Sequence, residues 1–467
     1  MAGATLTIGG AFNSHAGIVS VPSSFLGDTS TGGSLNQLLE NYLVSLTNSI
    51  QGSSTTGATY AFENNDVAAG PGNDFVTAPA SVSGSFEEFT NTDSVGGVTG
   101  GTVSGAYTVS AGVTDVLVQA PGNVTLAGNG TARDVLFGAD SNVNYTQSIG
   151  GSAIIVAAGG NNVINVTAAN VNDTVASSGN DTVVFNGTGG NDQIFAAGNA
   201  TTQVFVGGSD AATVTASDNA QVGVLFVQRS GGTLDFINNS SQAQTVFSAA
   251  YGSSMGVNSV TVNAGAGGGL YVGGVAGNNS LIGGSGAVTL VGGGTGDVLE
   301  GNSAVSNFLF GGTGFETLLG ATGSANNLIA VGLPYPGIGA LTASGLVSTD
   351  GSGVQSFFIG NTNGETLTGS TVTGAINVYD IVGTSTTGGG NMLITNFHTG
   401  DWINLTDAAA TALGSASIYN ITADNSPSGG TDIYLTDNTR IHLLGVNAAQ
   451  ISSVSGSNGV VSMYLNS

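Results

Sequence analysis

A short phrase that recurs every nine or ten residues is the feature that most constrains how this chain can fold. Between residues 279 and 331 the phrase reads NSLIGG, VTLVGG, DVLEGN, NFLFGG, ETLLGA and NNLIAVG. Its central leucines lie 9, 9, 10, 9 and 10 residues apart, at Leu281, Leu290, Leu299, Leu309, Leu318 and Leu328. Such a period accommodates one strand and one tight turn, and it is too short for a helical repeat. The repeat therefore predicts an all-β protein, a parallel β-solenoid with these leucines stacked in its interior.

Degenerate copies of the phrase extend the prediction toward the N-terminus. They include GGNNVINV (159–166), SGNDTVVF (178–185) and GGNDQIFA (189–196), each with Asp or Asn just before the strand. Hydrophobic residues make up 40% of the chain, which is enough apolar surface to argue against disorder. We therefore expect the solenoid to occupy residues 61–385.

Two flanking segments differ from the repeats. Residues 1–60 contain one amphipathic pattern, and we predict a helix over 34–50 with Leu38, Leu39, Tyr42 and Leu46 on one face. Ser34 and Gln37 fit a capping box at its start. Residues 386–467 form a β-rich C-terminal domain, in which GGTDIYLTDNTRIHLLGV (429–446) is typical of a hairpin.

The charge balance excludes several classes of partner. Three basic residues against 28 acidic ones give a net charge of −25. Nucleic-acid binding needs clustered Lys or Arg, and docking on an anionic membrane needs the same. No apolar stretch approaches the ~18 residues of a membrane span, so we expect no membrane insertion. The first residues carry no positive n-region, and we expect no cleavable N-terminal secretory signal.

The glycine-rich phrases resemble the nonapeptide G-G-x-G-x-D-x-U-x of the hemolysin-type (RTX) β-roll family. Residues 292–300 read GGGTGDVLE, residues 187–195 read GTGGNDQIF, and residues 311–319 read GGTGFETLL. In that family the Asp of the sixth slot and neighbouring turn carbonyls bind calcium, a hard cation that prefers oxygen ligands.

The resemblance implies a calcium cofactor and a set of ligands. The acidic residues that occupy the sixth slot, and that we predict as metal ligands, are Asp74, Asp173, Asp181, Asp192, Asp297 and Glu316; Asn162, Asn279 and Asn326 fill the slot elsewhere. Here the chain departs from the family, because few neighbouring slots are both acidic. A second interpretation stays open: these Asp and Asn side chains form turn bonds or ladders with the backbone.

The C-terminal residues carry a second resemblance. GGGNMLITNFHTGDWINLTD (388–407) is similar to the phrase D-x-I-x-D-F-x-x-G-D-x-I-x-L that follows RTX repeats in type I secreted proteins, with Asn396 in place of one Asp. The resemblance implies that residues 386–467 are an uncleaved secretion and capping domain. It also implies a secreted protein, located outside the cell or on its surface.

The pattern predicts no enzyme. His15, His398 and His442 stand in no recognisable ligand spacing, and we expect His442 to face solvent from a strand. A β-helix enzyme acting on acidic polysaccharide is a third-ranked hypothesis, because such chemistry needs basic residues that this chain has in short supply. A calcium-dependent adhesin that binds a glycan or a surface is the second hypothesis.

The preferred hypothesis is a structural protein. We expect it to assemble with further copies of itself, head-to-tail or in a lattice, into a bacterial surface layer or a matrix filament of a biofilm, with calcium assisting. Open strand edges at solenoid ends favour such association. A cell-surface polysaccharide is a further partner consistent with this hypothesis.

Overall fold

The structure is a computed structural model that describes residues 11–12, 15–16, 62–64, 74–76, 86–90, 105–109, 112–119, 122–138, 141–208, 211–228, 232–250, 258–301, 306–312, 314–323, 327–331, 343–359, 364–382, 390–406, 418–424, 429–435, 439–455 and 460–466. In these ranges the chain is mostly β-strand, and the one helix is a 3₁₀ turn at Ala448–Gln450. None of the described helical structure is long and apolar enough to cross a membrane. The helix predicted over 34–50 lies outside the described residues.

The chain divides into two compact units. Unit 1 comprises Met1–Thr245 with Tyr251–Gly256, and unit 2 comprises Val246–Ala250 with Val257–Ser467. The strands of unit 1 are β1 Ala11–Phe12, β2 His15–Ala16, β3 Phe62–Asn64, β4 Asp74–Val76, β5 Phe86–Thr90, β6 Gly105–Thr108, β7 Asp115–Gln119, β8 Asn123–Ala127, β9 Asp134–Phe137, β10 Asn142–Gln147, β11 Ile154–Ala157, β12 Val163–Val166, β13 Thr174–Ser177, β14 Thr182–Phe185, β15 Asn191–Ala196, β16 Thr201–Val206, β17 Ala211–Ala216, β18 Gln221–Gln228 and β19 Gly232–Asn238.

Strand β20, Gln244–Ala250, contains residues of both units. The strands of unit 2 are β21 Asn258–Asn263, β22 Gly269–Val272, β23 Ser280–Ile282, β24 Val288–Val291, β25 Val298–Glu300, β26 Asn307–Phe310, β27 Gly314–Gly323, β28 Asn327–Val331, β29 Ala343–Gly351, β30 Val354–Ile359, β31 Thr366–Thr368, β32 Ile376–Val382, β33 Asn391–Thr395, β34 Trp402–Thr406, β35 Ile418–Asp424, β36 Gly430–Leu435, β37 Arg440–Leu444, β38 Ile451–Ser455 and β39 Val461–Leu465.

Unit 1 is a parallel β-solenoid with two strands in each coil. Odd-numbered strands from β5 to β19 form one parallel sheet, and even-numbered strands from β6 to β18 form the other. Ile154 pairs with Thr174, a step of 174 − 154 = 20 residues, and Val163 pairs with Thr182, a step of 19. The two sheets face each other across the core, where the rings of Phe137 and Tyr145 lie 5.9 Å apart.

Unit 2 repeats this plan, again with two strands in each coil. Odd-numbered strands from β21 to β33 form one sheet, and even-numbered strands from β22 to β34 form the other. The fold class predicted from the repeats, an all-β parallel solenoid, is therefore confirmed. The predicted domain boundaries at residues 60 and 385 stay predictions, and the parallel pairing continues to β33 and β34.

The leucine period corresponds to half a coil, because each coil contributes one strand to each sheet. Five of the six leucines point into the core and are fully buried: Leu281, Leu299 and Leu318 in one sheet, Leu290 and Leu309 in the other. The prediction for Leu328 is wrong. Leu309 pairs with Ile329, so Ile329 takes the interior position and Leu328 lies on the outer face.

Close stacking of the turns explains much of the glycine content. Gly160 has a φ of +80°, and a Cβ at this position would overlap the carbonyl oxygen of Ser141 in the preceding coil. A side chain here would force the two turns apart. Only glycine allows the turns to approach each other so closely at such a position.

Antiparallel strands complete both sheets at the C-terminal end of unit 2. Strand β37 pairs in parallel with β33, and then β36 and β35 add in antiparallel fashion. In the other sheet β39 pairs antiparallel with β34, and β38 adds beyond it. The predicted hairpin over 429–446 is confirmed as the β36–β37 pair, with Ile433 opposite Ile441. Its predicted turn at 437–438 lies outside the described residues.

Candidate functional site

Five of the six predicted metal ligands are buried inside the coils. Asp173, Asp181, Asp192, Asp297 and Glu316 are all at most 2% exposed. The sixth, Asp74, lies in β4, where it stands opposite Glu88 in an antiparallel pair. Strand β4 precedes the parallel pairing of β5 with β7, so Asp74 does not share the coil geometry of the other five.

Asp181 shows how the buried side chains are used. Its Oδ1 accepts hydrogen bonds from the backbone N and the side-chain Nδ2 of Asn162, both at 2.9 Å, and its Oδ2 accepts one from Ser177 Oγ at 2.7 Å. Asn162 stands one coil earlier, and its Oδ1 accepts a bond from Val143 N at 3.0 Å. Each side chain therefore binds the backbone of the preceding coil.

The same bond recurs along both units. Ala153 N donates to Asp173 Oδ1 at 2.6 Å, and Asp173 N donates to Asp192 Oδ1 at 2.9 Å. We define the acceptor ladder as the buried side chains that accept a backbone N–H bond from the preceding coil in this way. Its members are Asn162, Asp173, Asp181, Asp192 and Gln244 in unit 1, and Asn279, Asp297, Asn307 and Asp401 in unit 2.

Three ladder members were missed by the sequence analysis as slot residues: Gln244, Asn307 and Asp401. Each stands two residues before an inward-facing apolar side chain, at Val246, Leu309 and Ile403 respectively. The same spacing separates Asp181 from Val183. An acceptor side chain two positions before an apolar strand residue would therefore have identified these three ladder members in the sequence. The glycine-rich nonapeptide did not, because these positions lack its full pattern.

Asp297 accepts hydrogen bonds from two places, the preceding coil and the turn just before it in the chain. Its Oδ1 accepts from Asn279 N and Asn279 Nδ2, both at 2.8 Å, and its Oδ2 accepts from Gly293 N at 2.7 Å and Gly294 N at 3.1 Å. Burial nevertheless raises the pKa of Asp297, and that of Asp181, above the ordinary aspartate value, while these bonds oppose the rise. The ladder keeps acidic groups in an environment that disfavours charge.

Glu316 stands beside Asp297 on the neighbouring strand, and its carboxyl group has fewer hydrogen-bond partners. Its Oε1 accepts a bond from Gly312 N at 2.6 Å, whereas its buried Oε2 has no hydrogen-bond partner. Burial raises the pKa of Glu316 to about 8, and the nearby charge of Asp297 adds to the effect. At neutral pH the Glu316 carboxyl is therefore mainly protonated.

The hydrogen bonds of Asp181 and Asp297 compete with calcium for the same carboxylate oxygens. Calcium takes six to eight oxygen ligands, yet the oxygens of Asp181 and Asp297 already accept bonds from N–H or O–H donors. Within the described ranges, no three His, Asp or Glu side chains are arranged to hold a metal ion. The unpartnered Oε2 of Glu316 is the observation that favours a cation. Calcium binding at the six predicted residues stays a prediction.

A second acidic pair lies in the first coils of unit 1. Asp115 and Asp134 stand opposite each other in β7 and β9, and Thr114 Oγ1 donates to Asp115 Oδ2 at 2.6 Å. Burial raises the pKa of Asp115, and burial together with the charge of Asp115 raises that of Asp134 to about 7. At slightly acidic pH the Asp134 carboxyl is therefore mainly protonated.

A row of exposed amides lies along one turn edge of unit 1. Asn142, Asn161, Asn180 and Asn199 line a shallow groove of about 450 Å³ together with Gly159, Gly160, Ser178 and Gly179. Asn161 Nδ2 donates to Asn142 Oδ1 at 3.2 Å, which keeps the amides in register from coil to coil. The groove carries no charged side chain among its lining residues. It offers repeated donors and acceptors to a neutral polar ligand.

The expectation that His442 faces solvent is wrong. Its side chain is 13% exposed, and its Nδ1 lies 2.8 Å from Asp432 Oδ1 on the neighbouring strand. Arg440 donates from Nε to Asp432 Oδ1 at 2.9 Å and from Nη2 to Oδ2 at 3.0 Å. Although partial burial alone would raise it, the bonds from Arg440 and His442 hold the pKa of Asp432 below its usual value. The cluster joins β36 to β37.

We predict that Asp181→Ala destabilises unit 1 even in the presence of a chelator. The substitution leaves the buried N–H of Asn162 and the hydroxyl of Ser177 without their acceptor, a loss of roughly 2–4 kcal/mol. Asp181→Asn keeps one acceptor oxygen and should cost about half as much. Urea unfolding followed by circular dichroism measures both, with the exposed Asn180→Ala as the control. An effect of Asp181→Ala that arises only with calcium would contradict the ladder interpretation.

Comparison with known proteins adds no relative. No protein-family model, no curated protein and no solved structure matches the chain. The hemolysin-type resemblance therefore rests on the motifs in the sequence alone.

Proposed function

We propose that this chain is a secreted bacterial structural protein that assembles with copies of itself into a surface layer or an extracellular matrix filament. The observation that supports the proposal most directly is the acceptor ladder. Its polar side chains bind neighbouring coils rather than converge on a substrate, so the repeats serve as a scaffold. The proposal includes no enzymatic activity. Export rests on the resemblance of residues 388–407 to type I secreted proteins.

The C-terminal end of unit 2 favours assembly through sheet faces rather than through solenoid ends. Antiparallel strands complete both sheets there, so a second solenoid cannot continue the parallel coils directly. We therefore place the main contacts between copies on the outer faces of the sheets.

Calcium assistance stays part of the proposal, and Glu316 with Asp297 is the place that supports it best. A cation bound there would neutralise the two carboxylates in the coil interior, in place of the proton that Glu316 otherwise holds. Neutralisation also favours assembly, since a net charge of −25 makes copies repel one another. Calcium and protons would then compete for Glu316.

Assembly of the purified full chain tests the proposal. Electron microscopy and sedimentation are compared in chelator and in millimolar calcium, at pH 6 and pH 8. We expect ordered sheets or filaments, formed more readily with calcium or at the lower pH. A chain that stays a single molecule under all four conditions would overturn the proposed function. Equal assembly with chelator and with calcium would remove calcium from it.

An adhesin is the second candidate function, and the exposed amide groove favours it. Asn161 and Asn180 lie side by side in successive coils, and neutral hydroxyl-rich polymers can pair with such repeated amides. Retention of the chain on an immobilised neutral polysaccharide tests this function. Asn161→Ala with Asn180→Ala should release the chain at least about tenfold more easily if two bonds of about 1 kcal/mol each are lost. Unchanged retention would exclude the groove as the binding site.

A further inference from the structure

The even-numbered sheet of unit 2 carries an apolar outer face. Along β30, β32 and β34, alternate residues point into the core, where Gln355, Phe357, Asn377, Tyr379 and Ile403 are at most 1% exposed. The residues between them therefore point outward. On this face Val354 pairs with Ile376, and Val378 pairs with Trp402. The row continues through Ser356 and Leu328 to Phe308 in β26.

Several of these outward side chains are large, apolar and exposed. Val354 is 41% exposed, Ile376 40%, Trp402 40% and Phe308 43%. We call the set Val354, Ile376, Val378, Trp402, Leu328 and Phe308 the apolar face. Contiguous exposed apolar side chains on a folded protein mark an interaction site.

The apolar face is also almost uncharged. Asp380 is the one ionisable residue at the outward positions of β30, β32 and β34, and its Oδ1 accepts a bond from Asn404 Nδ2 at 2.8 Å. In a chain of net charge −25, this face is where another negatively charged surface can approach with little repulsion. Depletion of charge with retention of aromatic residues is the composition of interface centres.

Trp402 stands at one border of the face, and its ring centroid lies 5.0 Å from that of Tyr464 in β39. Trp and Tyr side chains contribute a disproportionate share of binding energy at protein interfaces. The ring pair is therefore a preorganised anchor at the border of the apolar face.

We propose that the apolar face is the contact through which two copies of this chain associate. Identical sheet faces can pack against each other at about 10 Å. A self-complementary contact of this kind brings the same patch of both copies together. Because the copies carry like charge, they repel each other less through this nearly uncharged face than through charged parts of the surface. This inference rests on the proposed self-assembly and specifies where it occurs.

Trp402 makes the test direct, because it is the one tryptophan of the chain. Acrylamide is a neutral quencher that the negative chain does not repel, and it measures the exposure of this ring during assembly of the full chain. We expect quenching to fall about threefold as sedimentation shows larger species, since a large side chain covered by the partner copy loses most of its solvent contact. Assembly with unchanged quenching would overturn the inference and leave the proposed function intact.

Charge substitutions provide a second, independent measurement. Ile376→Glu should raise the concentration needed for assembly at least about tenfold, because it places like charges opposite each other. Ile149→Glu is the matched control: Ile149 is 61% exposed and belongs to unit 1, so assembly should be unchanged. Circular dichroism verifies that both variants fold. Assembly of Ile376→Glu at the wild-type concentration would overturn the inference, as would protection of Trp402 by an added polysaccharide without any self-association.

Discussion

Raising the pH from 5 to 9 should destabilise unit 2, and Glu316→Gln should remove a large share of that loss. The folded unit holds the proton of Glu316 up to a pKa of about 8, whereas the unfolded chain releases it near the ordinary value of 4.5. Between these values the folded state binds more protons than the unfolded state. The contribution of Glu316 to the free energy of unfolding is therefore fully present below about pH 4.5 and is lost as the pH rises through about 8.

The expected size of the effect is on the order of 4 kcal/mol, since each unit of pKa difference corresponds to about 1.4 kcal/mol. The amide introduced by Glu316→Gln has the shape of the protonated acid without its titration, so the variant should gain stability at pH 8–9 and change little at pH 5. Burial also raises the pKa of Asp297 and Asp401, and these groups leave a residual slope of the same sign.

Urea unfolding of the full chain at pH 5, 7 and 9 in chelator measures this effect. The lowest pH stays above the range in which Asp432, with its lowered pKa, takes up its proton. Glu300→Gln is the matched control, because Glu300 belongs to the outer face of β25 and its loss removes the same charge. Equal pH profiles for the wild type and Glu316→Gln would contradict the prediction. A calcium-induced gain at pH 8 that Glu316→Gln abolishes would instead support a cation site.

Leu299→Asp should unfold unit 2, whereas Val298→Asp should leave it folded. The two residues are neighbours in β25, but Leu299 is fully buried and Val298 is 37% exposed on the outer face. A buried carboxylate without a partner, added to the lost apolar contacts, costs on the order of 5 kcal/mol. This approaches the whole stability of a typical domain. Leu299→Ala should cost roughly 3 kcal/mol and remain folded.

Far-ultraviolet circular dichroism and protease resistance of the three variants check the prediction. Val298→Asp controls for the change of charge and of strand propensity at almost the same place in the chain. A folded Leu299→Asp with stability like that of Val298→Asp would show that the register of β23, β25 and β27 is wrong. Leu309→Asp against Phe308→Asp repeats the comparison in the other sheet, where Phe308 is 43% exposed.

The repeat alone was enough to predict the fold class, because a period of nine to ten residues admits one strand and one turn. It also placed five of six leucines in the core. It failed at Leu328, since NNLIAVG has two aliphatic residues in a row after two asparagines, and nothing local distinguishes Leu328 from Ile329 as the inward residue. The pairing of Leu309 with Ile329 across coils decides that choice.

For the candidate site, too, the sequence predicted one part and the tertiary structure decided the other. The sequence identified the Asp and Asn positions at the coil entrances, and it left open whether they bind calcium or the backbone. Only the stacking of coils brings Asn162 N within 2.9 Å of Asp181 Oδ1, across 19 residues of chain, and buries both. Local chemistry thus determined which residues are polar acceptors and where the strands lie. Tertiary structure decided what those acceptors bind, because their donors belong to the preceding coil. It also decided which apolar side chains stay outside, because exposure depends on neighbours distant in the chain.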